Sequence, residues 1–586
     1  MKQTLLRTLL RKEVVGLARL TVIILAVFLV LLEFGYQADT STNALLDQLS
    51  YGLVIAAAFV MLGSVLRTNL RGQGFRKAEL AWFIAAVTLI LVEPLGLDWI
   101  GADQRWPHLI FLCFFVFIEL SRLEIGRNSV LFNPALLFTT SFVLIIAIGS
   151  ALLMLPNAST RSFGLVDAVF TATSAVCVTG LSTIDVGKDL TFMGQCVLLF
   201  LIQVGGLGVM TFTSFFAFFF KGRSSLEEQL RIRDIANTSL SSARSFIVQV
   251  ILFTIAVEVV GAVFIYFTVP PAYFTSGGDQ VFFAVFHSIS AFNNAGFSTE
   301  TLGMYELPFR FNYSLMWILA LLFIFGGLGF GIIFNFSRYT RLWIVGRVKR
   351  LLTGEPCERN PRVVNLSSRL ALQVTAVLIA VGTMAVLVFE WNGALAQHTT
   401  WWGRFSAAFF TGVTPRTAGF NVVDYGTLAM PTLMITLLLM YIGASPGSTG
   451  GGIKTTTLGV ATLNIFATAR GRRRVEYGGR EISNLSIRRA FAAIVLSLVF
   501  LGLSTTIVAS MESGLGLLPV AFECFSAYST VGLSMGITAQ LGEPAKLALV
   551  GVMFIGRVSA LTLLIGVLRQ VQVTSYRYPK EDILIN

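Results

Sequence analysis

Long apolar runs, separated by short polar or basic segments, recur along the chain from near residue 14 to near residue 570. In the first part they lie near 14–34, 50–66, 79–97 and 107–120. After residue 130 the pattern changes to a fourfold repeat: a long run, a shorter amphipathic stretch ending in a glycine motif, then another long run. The long runs fall near 132–155 and 192–220, 246–269 and 313–336, 369–390 and 429–466, and 489–510 and 545–569, eight spans in four pairs. Most are long enough to cross a hydrocarbon core of roughly 30 Å as helices; the run at 107–120 is short for it.

This predicts an all-α polytopic membrane protein. Residues 1–130 form an N-terminal extension with about four transmembrane helices. Residues 131–235, 236–360, 361–480 and 481–586 form four tandem helix/pore-loop/helix repeats, the third with a broken second helix and the last with a short cytoplasmic tail.

Basic residues set the orientation. Lys2, Arg7, Arg11 and Lys12 precede the first run, which is longer than the core of a cleavable signal peptide and reads as a retained anchor. Arg67, Arg71, Arg76 and Lys77 separate the second and third runs, and Arg122 and Arg127 follow the fourth. The links between the later pairs are also basic, as at Lys221 and Arg223, Arg347 and Lys349, and Arg472 to Arg474. Positive residues stay on the cytoplasmic side, so the N-terminus is cytoplasmic and the glycine motifs open outward.

Composition agrees, with 55% hydrophobic and 13% charged residues. The net charge of +12 lies in short inter-span links rather than along a helix face, which argues for topology and against nucleic acid. The five cysteines have no metal-ligand or disulfide-framework spacing.

The four glycine motifs carry the functional signal. They close the stretches DAVFTATSAVCVTGLS (167–182), FFAVFHSISAFNNAGFS (282–298), RFSAAFFTGVTPRTAGFN (404–421) and PVAFECFSAYSTVGLS (519–534). The shared glycines, Gly180, Gly296, Gly419 and Gly532, are 116, 123 and 113 residues apart. Non-helical backbone at membrane depth is tolerated only where it is buried in protein or lines a water-filled path. Glycine accepts backbone angles closed to other residues, so four of them let carbonyl oxygens turn inward together. A ring of carbonyls can replace the hydration shell of a cation, and the short preceding helices aim their negative dipole ends at it. The filter assigned on this ground is Cys177 to Gly180, Asn293, Asn294, Ala295 and Gly296, Arg416, Thr417, Ala418 and Gly419, and Ser529, Thr530, Val531 and Gly532, with a bare cation at its carbonyls. The alternative use of such glycines is tight helix packing.

CVTGLS, FNNAGFS, TPRTAGFN and STVGLS resemble the four filter segments of the Trk/Ktr/HKT superfamily of potassium transporters. ASPGSTGGGIKTTT (444–457) and GRVSALTLL (556–564) are most similar to the bacterial Ktr branch. The resemblance covers about residues 130–570 and implies a pseudo-fourfold pore in each chain. It also implies a homodimer, a cytoplasmic nucleotide-binding regulatory ring subunit, and a place in the bacterial inner membrane. Glycine rather than serine at the first motif favours potassium on the same ground. A sodium- or ammonium-conducting member of the superfamily is the alternative, and sodium is a candidate activator. The N-terminal 130 residues depart from the short N-termini typical of the family.

In the third repeat the second span breaks at GASPGSTGGGIKTTT, which must unwind at membrane depth and line the cavity. Gly447, Ser448, Thr449, Gly450, Gly451, Gly452 and Lys454 are therefore read as a gate. The stretch mimics a phosphate loop, but Ile453 puts Lys454 one residue out of register and no strand precedes it. Arg557, within an apolar run, is read as an electrostatic barrier or a buried tie to carbonyls. Asp185, Glu300 and Asp424 follow three of the glycines by four or five residues and are candidates for an outer mouth that concentrates cations. Glu523, inside the fourth pore helix, needs a partner. His108, His287 and His398 lack a second ligand at helical spacing or a partnered nucleophile, so no enzyme and no covalent cofactor is expected.

Overall fold

The computed structural model describes residues 12–35, 40–70, 77–92, 134–220, 240–353 and 365–558, with a few positions between 107 and 115. It divides into two compact units, one of residues 1–129 with 155–162 and one of residues 130–154 with 163–586. The predicted span at 107–120 and the end of the span at 545–569 lie largely outside the described residues.

In the first unit α1 (Lys12–Gly35), α2 (Thr40–Leu70) and α3 (Lys77–Val92) pack around Ala26, Leu29, Val54, Ala57 and Ala86. The three alanines among them let the helices approach closely.

The second unit is four helical pairs, each with a short helix between its members. The first pair is α4 (Pro134–Leu153) and α6 (Phe192–Phe220), enclosing α5 (Leu165–Val176). In the second, α7 (Leu240–Thr268) leads to α8 (Gly277–Phe292) and then to α9 (Tyr313–Leu328) and α10 (Phe330–Thr353). The third comprises α11 (Leu366–Phe389), α12 (Trp401–Val413), α13 (Met430–Tyr441) and α14 (Thr455–Ala469). The fourth comprises α15 (Asn484–Met511), α16 (Leu517–Ser529) and α17 (Glu543–Val558). A two-residue hairpin, Glu476–Tyr477 with Arg480–Glu481, joins the last two repeats.

The outer members show apolar side chains outward: Val259, Phe264 and Phe267 on α7, and Val377, Met384 and Val388 on α11. Helices that expose such faces over 21–28 apolar residues are membrane spans, with lipid as their solvent. The short helices are the reverse. Phe170, Phe286, Phe410 and Phe522 stand at equivalent places in α5, α8, α12 and α16, and each is fully buried. The repeat therefore has an internal anchor as well as its glycine.

The second span of repeat two differs from the expected single run at 313–336. It bends by 98° between α9 and α10. Gly329 makes the corner with φ 82°, a region costly for any residue with a Cβ. Beside it lies the broken stretch of repeat three: the Phe330 N–H donates to the Gly447 carbonyl at 3.3 Å. An apolar run continues through the bend unchanged, which is why hydropathy alone does not reveal it.

A candidate ion pore

Each short helix ends where the backbone enters the left-handed region. Val178, Asn294, Thr417 and Thr530, two residues before the motif glycines, have φ of 56°, 59°, 72° and 50°. The glycines follow at 95°, 69°, 79° and 92°. Positive φ is uncommon without glycine and costs of order 1–3 kcal/mol at each residue, so four matching instances require surroundings that impose it.

Those surroundings repeat too. The N–H of the residue before each glycine turns back to the preceding helix: Thr179 to the Ser174 carbonyl at 2.7 Å, Ala295 to Ser290 at 2.7 Å, Ala418 to Thr414 at 3.0 Å and Val531 to Ser526 at 2.9 Å. The same hydroxyl residues brace the strands. Ser174 and Ser526 accept from the N–H of Gly180 and Gly532, both at 3.0 Å, while Ser290 and Thr414 donate to the carbonyls of Phe297 and Phe420 at 2.8 and 2.7 Å. Donors are thus consumed on the protein side. Among the described residues no hydrogen bond reaches the carbonyls of Val178 to Gly180, Asn294 to Gly296, Thr417 to Gly419 or Thr530 to Gly532. Buried carbonyls left without donors are costly unless something else meets them.

The four strands close on one another in chain order. A Cβ on Gly180 would strike the Ala295 carbonyl, and one on Gly419 the Val531 carbonyl. A Cβ on Gly296 would lie 2.9 Å from both Ala418 O and Gly419 Cα, and one on Gly532 would meet the Thr179 carbonyl and come within 2.9 Å of Gly180 Cα. Glycines more than 100 residues apart in sequence thus form one ring. Three more glycines hold the ring in place. Gly205, Gly326 and Gly556 on α6, α9 and α17 sit against the carbonyls of Val176, Phe292 and Tyr528, each four residues before a ring glycine.

The residues three before each ring glycine, Cys177, Asn293, Arg416 and Ser529, are buried. Two of them visibly reach into the protein behind the ring: Asn293 toward Glu258 at 2.9 Å, and Arg416 toward the Thr375 hydroxyl at 3.4 Å. Glu523 has the partners it needs, the Ser534 hydroxyl and the Thr538 hydroxyl, the latter at 3.1 Å. His287, at the matching place in α8, meets the Phe283 carbonyl with Nδ1 at 2.8 Å and Ser298 Oγ with Nε2 at 2.9 Å. A carbonyl only accepts, so in the neutral ring Nδ1 carries the proton and Nε2 accepts from Ser298.

On one side of the ring lies the segment between α13 and α14. Ile453 donates its N–H to the Tyr441 carbonyl at 3.2 Å, closing the base of a loop whose tip reaches the ring strands. Thr449 Oγ1 donates to Asn294 Oδ1 at 3.0 Å, and the Gly451 N–H donates to Thr530 Oγ1 at 3.0 Å. Asn294 Nδ2 in turn donates to Thr417 Oγ1 at 3.3 Å. Three of the four left-handed residues therefore hold the loop or one another. Lys454 folds back to the Gly450 carbonyl at 2.6 Å, and Arg557 on α17 donates to the carbonyls of Thr449 and, at 3.2 Å, Gly205. Arg557 is 6% exposed, so it ties the loop to the first repeat from within the protein.

On the opposite side a cavity of about 400 Å³ opens onto all four ring glycines and includes Asp185, Glu300 and Asp424. Two of these acids also cap turns: Asp185 accepts from the N–H of Gly187 at 3.0 Å, and Asp424 from that of Gly426 at 2.9 Å. Glu300 accepts from the Tyr273 hydroxyl at 3.2 Å, which also donates to Glu306 at 2.9 Å. Burial pushes the Glu300 carboxyl up to about 7, with the Glu306 charge adding to the rise.

A four-repeat membrane fold with a ring of unbonded carbonyls between a charged vestibule and a tethered loop defines a cation-conducting protein. Residues 130–576 match the TrkH cation transport protein family, and the chain belongs to that family. It is a cation transporter, not an enzyme. It is 35% identical over 458 residues to the Ktr system potassium uptake protein B of Bacillus subtilis, covering 77% of this chain and 96% of that one. Over 466 residues it is 34% identical to the potassium/sodium uptake protein NtpJ of Enterococcus hirae, covering 77% and 97%. The crystal structure of the potassium transporter TrkH from Vibrio parahaemolyticus has the same fold, with a TM-score of 0.57 at 17% identity over 89% of this chain and 98% of that one.

The glycines and the broken span were legible in the sequence. The helix-packing glycines, the Ser/Thr braces and the network around Asn293 emerge from the fold. A signal for two of them exists: Gly205 and Gly556 follow their ring glycines by 25 and 24 residues.

Proposed function

We propose that the chain takes up potassium across the bacterial plasma membrane through a filter made of the backbone carbonyls of Cys177–Gly180, Asn293–Gly296, Arg416–Gly419 and Ser529–Gly532. The observation that carries this is the closed ring of four glycine strands whose donors face the protein and whose carbonyls are left for an ion. The loop Gly447–Gly452 with Lys454 acts as the gate, and Arg557 as a positive barrier that also latches it. Asp185, Glu300 and Asp424 raise the local cation concentration at the outer mouth. The protein works as a homodimer with its N-terminus in the cytoplasm, beneath it a nucleotide-binding ring subunit, and with sodium as an activator.

Support comes from family membership and from the potassium in the names of relatives that the chain covers almost end to end. A sodium-conducting reading has one observation in its favour, the potassium/sodium uptake named for the relative from Enterococcus hirae. Rubidium uptake, with and without competing sodium, in cells lacking their own potassium systems separates the two. Wild type should restore uptake that excess sodium does not displace, and Gly180→Ser should lose that preference. Uptake no different from that of empty cells, with the protein inserted, would remove the potassium assignment.

A further inference from the structure

Glu258 lies midway along α7 and is 6% exposed. A carboxylate within a membrane span needs a reason to be there. Its Oε2 accepts from the Gln203 amide of α6 at 3.1 Å, and its Oε1 accepts from the Asn293 amide at 2.9 Å. Asn293 Nδ2 also lies 3.0 Å from Gln203 Oε1, which closes a triangle of side chains from three segments. The backbone of the same residue is pinned as well, since Ser288 of α8 donates to the Glu258 carbonyl at 2.6 Å. Gly206 completes the slot: a Cβ there would strike the Asn293 side chain.

Asn293 is the first residue of the second ring strand, directly before left-handed Asn294. The matching positions elsewhere are Cys177, Arg416 and Ser529, and among the described residues none of them meets a carboxylate. Repeat two is therefore held from behind by a device that, among the described residues, the other repeats do not share, and the device bridges repeats one and two. Asn294 is also the residue to which Thr449 of the broken span is bonded.

We propose that Glu258 is a positioning residue for ion selection: held by Gln203, it fixes the Asn293 side chain and with it the rotation of the Asn293–Gly296 strand. It contacts no ion, and the inference rests on the ring being the filter. Without Glu258 the Asn293 amide keeps only the Ile289 carbonyl at 3.0 Å and the oxygen of a Gln203 that has itself lost the carboxylate holding it, so the pair is free to turn, and this turn is passed to the carbonyls one and two residues on.

The test uses the full-length protein in proteoliposomes, with potassium and sodium flux measured for wild type, Glu258→Ala, Glu258→Gln, Asn293→Ala and the double variant. Glutamine keeps an acceptor for Asn293 and should retain the wild-type potassium-over-sodium ratio. Alanine should lower the ratio about tenfold, the factor that corresponds to about 1.4 kcal/mol of differential binding. Because the effect runs through Asn293, Glu258→Ala should cost nothing further in the Asn293→Ala background. A wild-type ratio in Glu258→Ala overturns the proposal, as does Glu258→Gln behaving like alanine, which would mean that charge rather than position matters. If Glu258→Ala fails to insert, Asn293→Ala removes the same bond from the other side, and an unchanged ratio there overturns it equally. Gly296→Ala is the reference: if it too leaves the ratio unchanged, the filter assignment fails rather than the role of Glu258.

Discussion

Replacing Gly296 by alanine probes the ring with a perturbation of known size. Its φ of 69° imposes about 1–2 kcal/mol on any residue with a Cβ. The new methyl would also lie 2.9 Å from Ala418 O and Gly419 Cα, about 0.5 Å inside ordinary contact, and both atoms are backbone and cannot rotate away. Strand two and strand three must therefore separate. Moving one carbonyl, carrying about half a charge, from about 2.8 to about 3.3 Å from an ion weakens it by about 0.5 kcal/mol at an effective dielectric of about 20. With two or three oxygens displaced, the loss is about 1–1.5 kcal/mol, close to a tenfold weaker potassium affinity. The control is Gly536→Ala, which has a φ of 86° but nothing within 4 Å of its Cβ. It carries the strain without the collision. Rubidium uptake against external rubidium, in cells lacking their own systems, should show half-saturation raised about tenfold for Gly296→Ala and unchanged for Gly536→Ala. Equal half-saturation in wild type and Gly296→Ala, at equal amounts in the membrane, would refute the ring as the ion site.

Two further outcomes follow. Arg557→Gln frees the carbonyls of Thr449 and Gly205 and removes a positive charge, so flux should rise about tenfold, in keeping with the loss of a charged hydrogen bond; unchanged flux and unchanged inward bias in the same assay would end its role as a latch and barrier. Glu300 has its carboxyl raised to about 7, so it is charged above that value and neutral below it. Lowering external pH from about 8 to about 6 should therefore weaken uptake at low potassium about twofold, and Glu300→Gln should abolish the dependence; a Glu300→Gln profile that still falls with acid would place the titrating group elsewhere.

The membrane class, the four repeats and the break in repeat three were settled by local chemistry. A run of apolar residues has only one solvent that suits it, and Gly-Ser-Thr sequence cannot continue a helix at that depth. Glycine is also readable on its own, because its value lies in the backbone angles it permits. The repeat led to the expectation that the four glycines share one ring, but that each sits against the carbonyl of the next strand is a fact of packing between segments more than 100 residues apart, and no local pattern encodes it.

The same holds for the bend at Gly329, where hydropathy is continuous and only the neighbouring loop from repeat three gives the corner its partner. Asp185 and Asp424 were legible as charges shortly after the ring glycines, whereas their place as turn caps needed coordinates. Glu258 stands in an apolar run that gives it no local role, and it gains meaning only from Gln203 and Asn293. Sequence alone determined what each segment is, because secondary structure and lipid exposure depend on neighbours a few residues away. Tertiary structure decided which groups meet, because hydrogen bonds and close contacts depend on distances that chain order does not contain.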